Sequence, residues 1–96
     1  MKTLTWSPEA LHDLESIRAY IAQNSESYAD LTVRRLIAAV DRLRHFPESG
    51  RVVPERDEAS IREVIFDSYR VVYRLTGDRV EIVTIFRGSR VFPSIT

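Results

Sequence analysis

A two-layer α+β fold, β-α-α-β-β-β, with a helical hairpin packed on a small, mainly antiparallel sheet, is what this 96-residue sequence predicts. Three observations predict it. Apolar residues recur at three- and four-residue steps from Ala10 to Leu43, the spacing that lines one face of a helix. From Ile61 onward the period changes to two, with β-branched and aromatic residues dominating. Two short turn segments, Asp67-Ser68 and Thr76-Gly77-Asp78, then divide that region into three strands that pair as a meander.

Taken in order, Thr3-Leu4-Thr5-Trp6 alternates as a short half-buried strand does and is expected to join the sheet. Ser7-Pro8-Glu9 supplies an N-cap, a first-turn proline and an early acidic residue, so a helix starts at Pro8. Its stripe is Ala10, Leu11, Leu14, Ile17, Tyr20 and Ile21, and it ends near Gln23-Asn24; Trp6 packs on its first turn. Ser25 or Ser27 caps a second helix, with the stripe Ala29, Thr32, Val33, Leu36, Ile37, Val40 and Leu43, ending before Phe46-Pro47. Residues 47–55 read as a loop bounded by prolines and bent at Gly50. The strands are Ile61 to Phe66, Tyr69 to Leu75 and Val80 to Phe86. One domain, residues 1–96, accounts for the chain, and its size lies near the lower end of what folds alone.

Composition narrows the function. Fourteen basic residues balance fourteen acidic ones, so no broad positive field holds polyanions, and direct nucleic-acid binding is not expected. Through Ser60 there are eight basic and ten acidic residues; from Ile61 there are six and four, and those six are all arginine. Arginine's planar fork suits carboxylate and phosphate, which points to a recognition surface on the C-terminal half, with solvated strand charge as the plain alternative. The chain has no cysteine, and neither His12 nor His45 has a second histidine at i+4, so no metal site is expected. Three separated glycines form no phosphate loop, and no cofactor is implied. No apolar run reaches signal-peptide or membrane-span length, so a cytoplasmic protein is expected.

Four segments in register resemble the RelE/ParE toxin superfamily, most of all its ParE branch. They are Trp6-Ser7-Pro8-Glu9-Ala10 with Asp13-Leu14, Ile17 and Tyr20-Ile21; Phe46 through Glu55, with Gly50, Arg51 and Pro54 as its structural motif; Arg62-Glu63 followed by Tyr69 through Arg74; and Arg87-Gly88-Ser89-Arg90. The resemblance covers nearly the whole chain. It implies a cytosolic toxin neutralised by a ParD-like antitoxin, often as a hetero-oligomer. It also implies one of two targets: DNA gyrase, through its A subunit, or messenger RNA cut in the ribosome.

Metal-free RNA cleavage needs a base for the 2′-hydroxyl, cations for the phosphate and an acid for the leaving oxygen. Arg70 and Arg90 fall at positions similar to the family's phosphate-contacting arginines and are expected to meet on one sheet region. The lysine pair of RNA-cleaving members falls on Ile61 and Glu63, and no lysine follows Lys2. The stretch from Arg87 onward holds Phe92 but no His or Tyr. The expected function is therefore a gyrase poison with no catalytic residue, whose target-binding candidates are Arg62, Arg70, Arg74, Arg87 and Arg90. An endonuclease using Glu63 or Glu81 as base is the alternative, and a degenerate toxin retaining only antitoxin binding is a third reading. Arg70 and Arg74 share a strand face, and pairing with Asp67 or Glu81 competes with a target role. Gly50-Arg51 is read as a turn with an ion pair to a helix carboxylate.

Overall fold

Ser7 sets the entry into the first helix. Its hydroxyl oxygen accepts from the Ala10 N–H at 3.0 Å and donates to the Val83 carbonyl at 2.7 Å, so one side chain caps the helix and ties it to the sheet. The computed structural model describes residues 1–95. Its elements are β1 (Thr3–Trp6), α1 (Pro8–Ala22), α2 (Glu26–Asp41) with a 3₁₀ turn (Arg42–Arg44), β2 (Arg51–Val52), β3 (Ile61–Phe66), β4 (Tyr69–Thr76) and β5 (Arg79–Arg87). Ser25, not Ser27, caps α2 by accepting from the Tyr28 N–H at 3.1 Å. The pair Arg18–Asp30, at 2.7 Å, joins the two helices across the hairpin.

The predicted order holds, with one addition. Arg51 and Val52, inside the expected loop, pair antiparallel with Glu63 and Arg62. A two-residue strand is too short to show alternation, so only its neighbour reveals it. The sheet order is β1-β5-β4-β3-β2, with β1 parallel to β5 and every other pair antiparallel. The parallel pair is possible because the whole helical hairpin lies between β1 and the rest of the sheet in sequence.

The helices cover one face. Ala10, Ile17, Leu36, Val40 and Leu43 pack there against Tyr69, Val71, Tyr73, Val80, Ile82 and Ile85, with Leu4, Trp6, Leu14 and Ile21 at the margin. Three residues of the predicted helical stripes leave the core: Leu11 is 47% exposed, Tyr20 58% and Ile37 43%. On the far face a second, smaller cluster joins Val53, Ile61, Val72, Val83 and Phe86, and Phe92 and Ile95 of the C-terminal segment fold over it.

A bulge breaks the β4–β5 ladder. Val72 pairs with Thr84 and Tyr73 with Ile82, which leaves Val83 as the extra residue. Helix α1 supplies the missing partners: Ser7 takes the Val83 carbonyl, and the Asp13 carboxylate accepts from Thr84 Oγ1 at 2.8 Å and from the Ile85 N–H at 2.9 Å. Ser7 and Asp13 thus fix α1 against β5 at the point where β5 turns toward its exposed end.

Candidate functional site

Arg70 emerges from β4 on the far face, where a strand residue flanked by Tyr69 and Val71 on the helix side must point. Its Nε donates to Glu63 Oε1 at 2.7 Å, and its two terminal nitrogens donate to Glu55 at 2.9 and 2.8 Å. Arg51 Nε donates to the other Glu63 oxygen at 2.6 Å. The Glu63 side chain is fully buried. Its guanidinium partner Arg70 lies over the rings of Phe86 and Phe92, at 5.2 and 5.3 Å from their centroids.

Two arginines and two glutamates therefore close a neutral cluster, with aromatic rings over Arg70 and a bidentate carboxylate in its fork. The Arg70 guanidinium holds the Glu55 carboxyl down to about 2, against an ordinary value of 4.5. This corrects two expectations. Arg70 pairs with Glu55 and Glu63 rather than Asp67, and Arg51 pairs with a strand carboxylate rather than a helix one. Both oxygens of Glu63 are occupied and its side chain is inaccessible, so it cannot serve as a general base in this arrangement.

The motif Gly50, Arg51 and Pro54 builds the support for that cluster. A Cβ on Gly50 would come within 2.5 Å of the Tyr73 hydroxyl and 2.6 Å of the Glu63 carbonyl, so only glycine lets the loop approach the sheet this closely. The Gly50 N–H donates to the Tyr73 hydroxyl, which itself donates to the Pro47 carbonyl at 2.7 Å. Pro54 occupies the second position of a turn closed by the Arg56 N–H to the Val53 carbonyl, and the next residue is the Glu55 that clasps Arg70. Arg62 is spent on the same loop, donating to the carbonyls of Ala59, Glu48 and Gly50. Arg74 pairs with Glu81 at 3.3 Å, as one of the sequence alternatives has it.

Arg87 and Arg90 stand elsewhere, at the exposed end of β5. They line an open pocket of about 320 Å³ with Asp13, Ile17, Tyr20 and Tyr69. Arg87 lies over the rings of Tyr20 and Tyr69, at 5.5 and 5.8 Å. Arg70 is not part of this pocket: Arg87 faces the helices with its partner Tyr69, while Arg70 faces away. The expected meeting of Arg70 with Arg90 on one region of the sheet is thus replaced by two separate places.

Tyr20, Tyr69 and Asp13 were not among the site residues that sequence reasoning named. Tyr20 sits at a core spacing on α1 and reads as a core residue, although the chain offers it an arginine from β5 instead. Among the described residues no group of three or more His, Asp or Glu side chains gathers to hold a metal ion. No helix among them is long and apolar enough to cross a membrane.

Residues 4–92 match the family model described as "ParE toxin of type II toxin-antitoxin system, parDE". Toxin RelE2 of Caulobacter vibrioides is 36% identical over 91 residues, which cover 94% of this chain and 99% of the relative. Y4kP of Sinorhizobium fredii, named as a toxin candidate, is 35% identical over 95 residues, covering 98% and 96%. The chromosomal ParDE TA system from P. aeruginosa contains a chain that superposes with a TM-score of 0.76 at 22% identity, covering 91% of this chain and 96% of that one. That last likeness is one of fold.

Proposed function

Because the chain belongs to the ParE toxin family of type II toxin–antitoxin systems, we propose that it poisons DNA gyrase by binding, performs no chemistry of its own, and is neutralised by a ParD-like antitoxin. The observation that carries this reading is the division of the arginines. Arg70, at the position similar to a phosphate-contacting arginine, is closed inside a neutral cluster with Glu55 and Glu63. Arg87 and Arg90 remain exposed beside an aromatic pocket. Exposed arginine braced on tyrosine suits a protein surface, where Arg and Tyr anchors supply much of the binding energy. The target surface accordingly narrows from five arginines to these two, with Arg62, Arg70 and Arg74 holding the fold. The balance of fourteen basic and fourteen acidic residues fits a protein target in the cytoplasm better than ribosomal RNA. No cofactor enters this reading.

Two observations favour RNA cleavage as the second reading. A relative of similar length bears the name RelE2. Tyr20 and Tyr69 also place phenol groups beside Arg87, which is the kind of pairing proton transfer near a phosphate would use.

A gyrase supercoiling assay separates the two. Purified toxin is expected to stop supercoiling and accumulate cleaved DNA, and Arg90→Ala and Arg87→Ala each to weaken the effect at least tenfold. Unchanged supercoiling at excess toxin, with RNA fragments of defined ends in a translating extract, would replace the first reading with the second.

A further inference from the structure

The second half of β5 is apolar on both faces: Ile82, Val83, Ile85 and Phe86 are interrupted only by Thr84. A hydrophobic pattern fixes the register of a strand when one face is polar, and a slip of one residue exchanges the faces. Here either register buries an apolar set, so the pattern of β5 does not choose between them.

The β4–β5 ladder uses both registers. It runs in one from Thr76–Arg79 to Tyr73–Ile82 and in the other from Val72–Thr84 to Tyr69–Arg87, with Val83 as the step between them. The second register sets Ile85 beside Val71 and Arg87 beside Tyr69 on the helix face, and Phe86 beside Arg70 on the far face. Had the first continued, Val83 would pair with Val72, Ile85 with Arg70 and Phe86 with Tyr69. Arg87 would then stand past the end of β4, opposite Ser68, on the face away from Tyr20.

Helix α1 supplies what the apolar pattern lacks. β1 ends at Trp6, opposite Ile82, and beyond that point α1 bonds β5 in its place. The Ser7 N–H donates to the Ile82 carbonyl at 2.9 Å and the Ser7 hydroxyl to the Val83 carbonyl at 2.7 Å. On the other side of the step, Asp13 Oδ2 accepts from Thr84 Oγ1 at 2.8 Å and from the Ile85 N–H at 2.9 Å. A slip turns each residue over about the strand axis, so the Ile85 N–H would face β4 and Asp13 would lose it.

We infer that Asp13 is a positioning residue of the Arg87 surface: with Ser7 it selects the bulged register, and so turns Arg87 toward Tyr20 and the pocket. The inference rests on the reading of Arg87 as a contact to the target. Asp13 acts through β5 and not through its charge. Both donors meet the same oxygen, so asparagine, which keeps one acceptor oxygen, can hold them.

The test is a double-variant cycle on the full chain, read as inhibition of gyrase supercoiling at a temperature where every variant is folded. Asp13→Ala is expected to weaken inhibition at least tenfold and Asp13→Asn to restore most of it. Arg87→Ala is expected to weaken it at least tenfold as well, and the double variant Asp13→Ala/Arg87→Ala no further, since the first change acts through the second residue. Val40→Ala, a core change away from the pocket, is expected to lower stability and leave inhibition unchanged. The Arg87 Nε–H resonance, displaced by the Tyr20 and Tyr69 rings, is expected to keep its position in Asp13→Asn and to move toward the free value in Asp13→Ala. Thr84→Val, which removes one donor and leaves Asp13 in place, is expected to move it the same way by less, and keeps the test decisive if Asp13→Ala does not fold. An asparagine variant as weak as the alanine one would give Asp13 a direct charge contact and overturn the proposal. Losses that multiply in the double variant, an equal loss in Val40→Ala, or an Arg87 resonance unmoved in both Asp13→Ala and Thr84→Val would overturn it too. If the wild type leaves gyrase untouched, the target reading falls, and the Arg87 resonance decides this proposal on its own.

Discussion

Glu63 shows how one residue can carry a disproportionate share of a small fold. It is fully buried between Arg51 and Arg70, so removing its charge leaves the largely exposed Arg51 without a counterion and the buried Arg70 with Glu55 alone. Breaking such a pair from one side costs roughly 3–5 kcal/mol, far more than the intact pair contributes net. Glu63→Gln is expected to lower the unfolding free energy from urea titration by about 3 kcal/mol, the lower end of that range, because Glu55 still pairs with Arg70; a loss below about 1 kcal/mol would mean that the cluster is solvated. Glu55, half-exposed on its turn, is expected to matter through pH instead. Its folded value lies near 2 and its ordinary value at 4.5, so its stabilising effect is present above 4.5 and disappears as pH falls from there through 2. The stability of Glu55→Gln should therefore lie below that of wild type at neutral pH, and the two curves should converge in acid. Parallel curves throughout that window would remove Glu55 from the account.

Among the elements, β5 is the one on which the others depend. It lies between β1 and β4, contains the bulge at Val83, and delivers Arg87 to the pocket. The bulge persists because α1 satisfies the groups it frees, through Ser7 and Asp13. Asp13→Ala leaves the buried Ile85 N–H unpartnered, a loss of about 1–3 kcal/mol. Asp13→Asn keeps an oxygen that can accept, and is expected to recover most of it in thermal unfolding. Equal losses in the two variants would assign the effect to charge rather than to the hydrogen bonds. Because Asp13 also lines the pocket, Asp13→Ala should disturb Arg87 and Tyr20, visible as shifts in their side-chain resonances.

At the scale of the molecule the sheet has two unequal faces. The helical hairpin covers one with a full core; on the far face five buried apolar residues cluster among the described residues, and the segment after β5 folds over them through Phe92 and Ile95. Arg56 holds that segment by donating to the Ile95 carbonyl at 3.0 Å. Ending the chain after Arg90 is expected to destabilise it by about 2 kcal/mol, the scale of one aromatic side chain returned to water, and to raise binding of an apolar dye. Unchanged stability and dye binding would show that the segment does not seal this face in solution.

The sequence by itself determined the order and type of the elements and the helix start at Ser7, because periodicity, caps and turns are local and need no partner to be read. It also made the arginine-rich second half conspicuous. Tertiary structure decided which arginines are available. Arg70 and Arg87 are alike in composition and both follow from the strand pattern. One meets Glu55, a loop residue fifteen positions away, and the other meets Tyr20, which sits at a core spacing on α1. Likewise the face that Arg87 takes follows from a bulge that a strand apolar on both sides does not announce. Pairing of charges and the register of such a strand are properties of what the chain brings together across long separations, so they are settled only when the sheet and helices are in place.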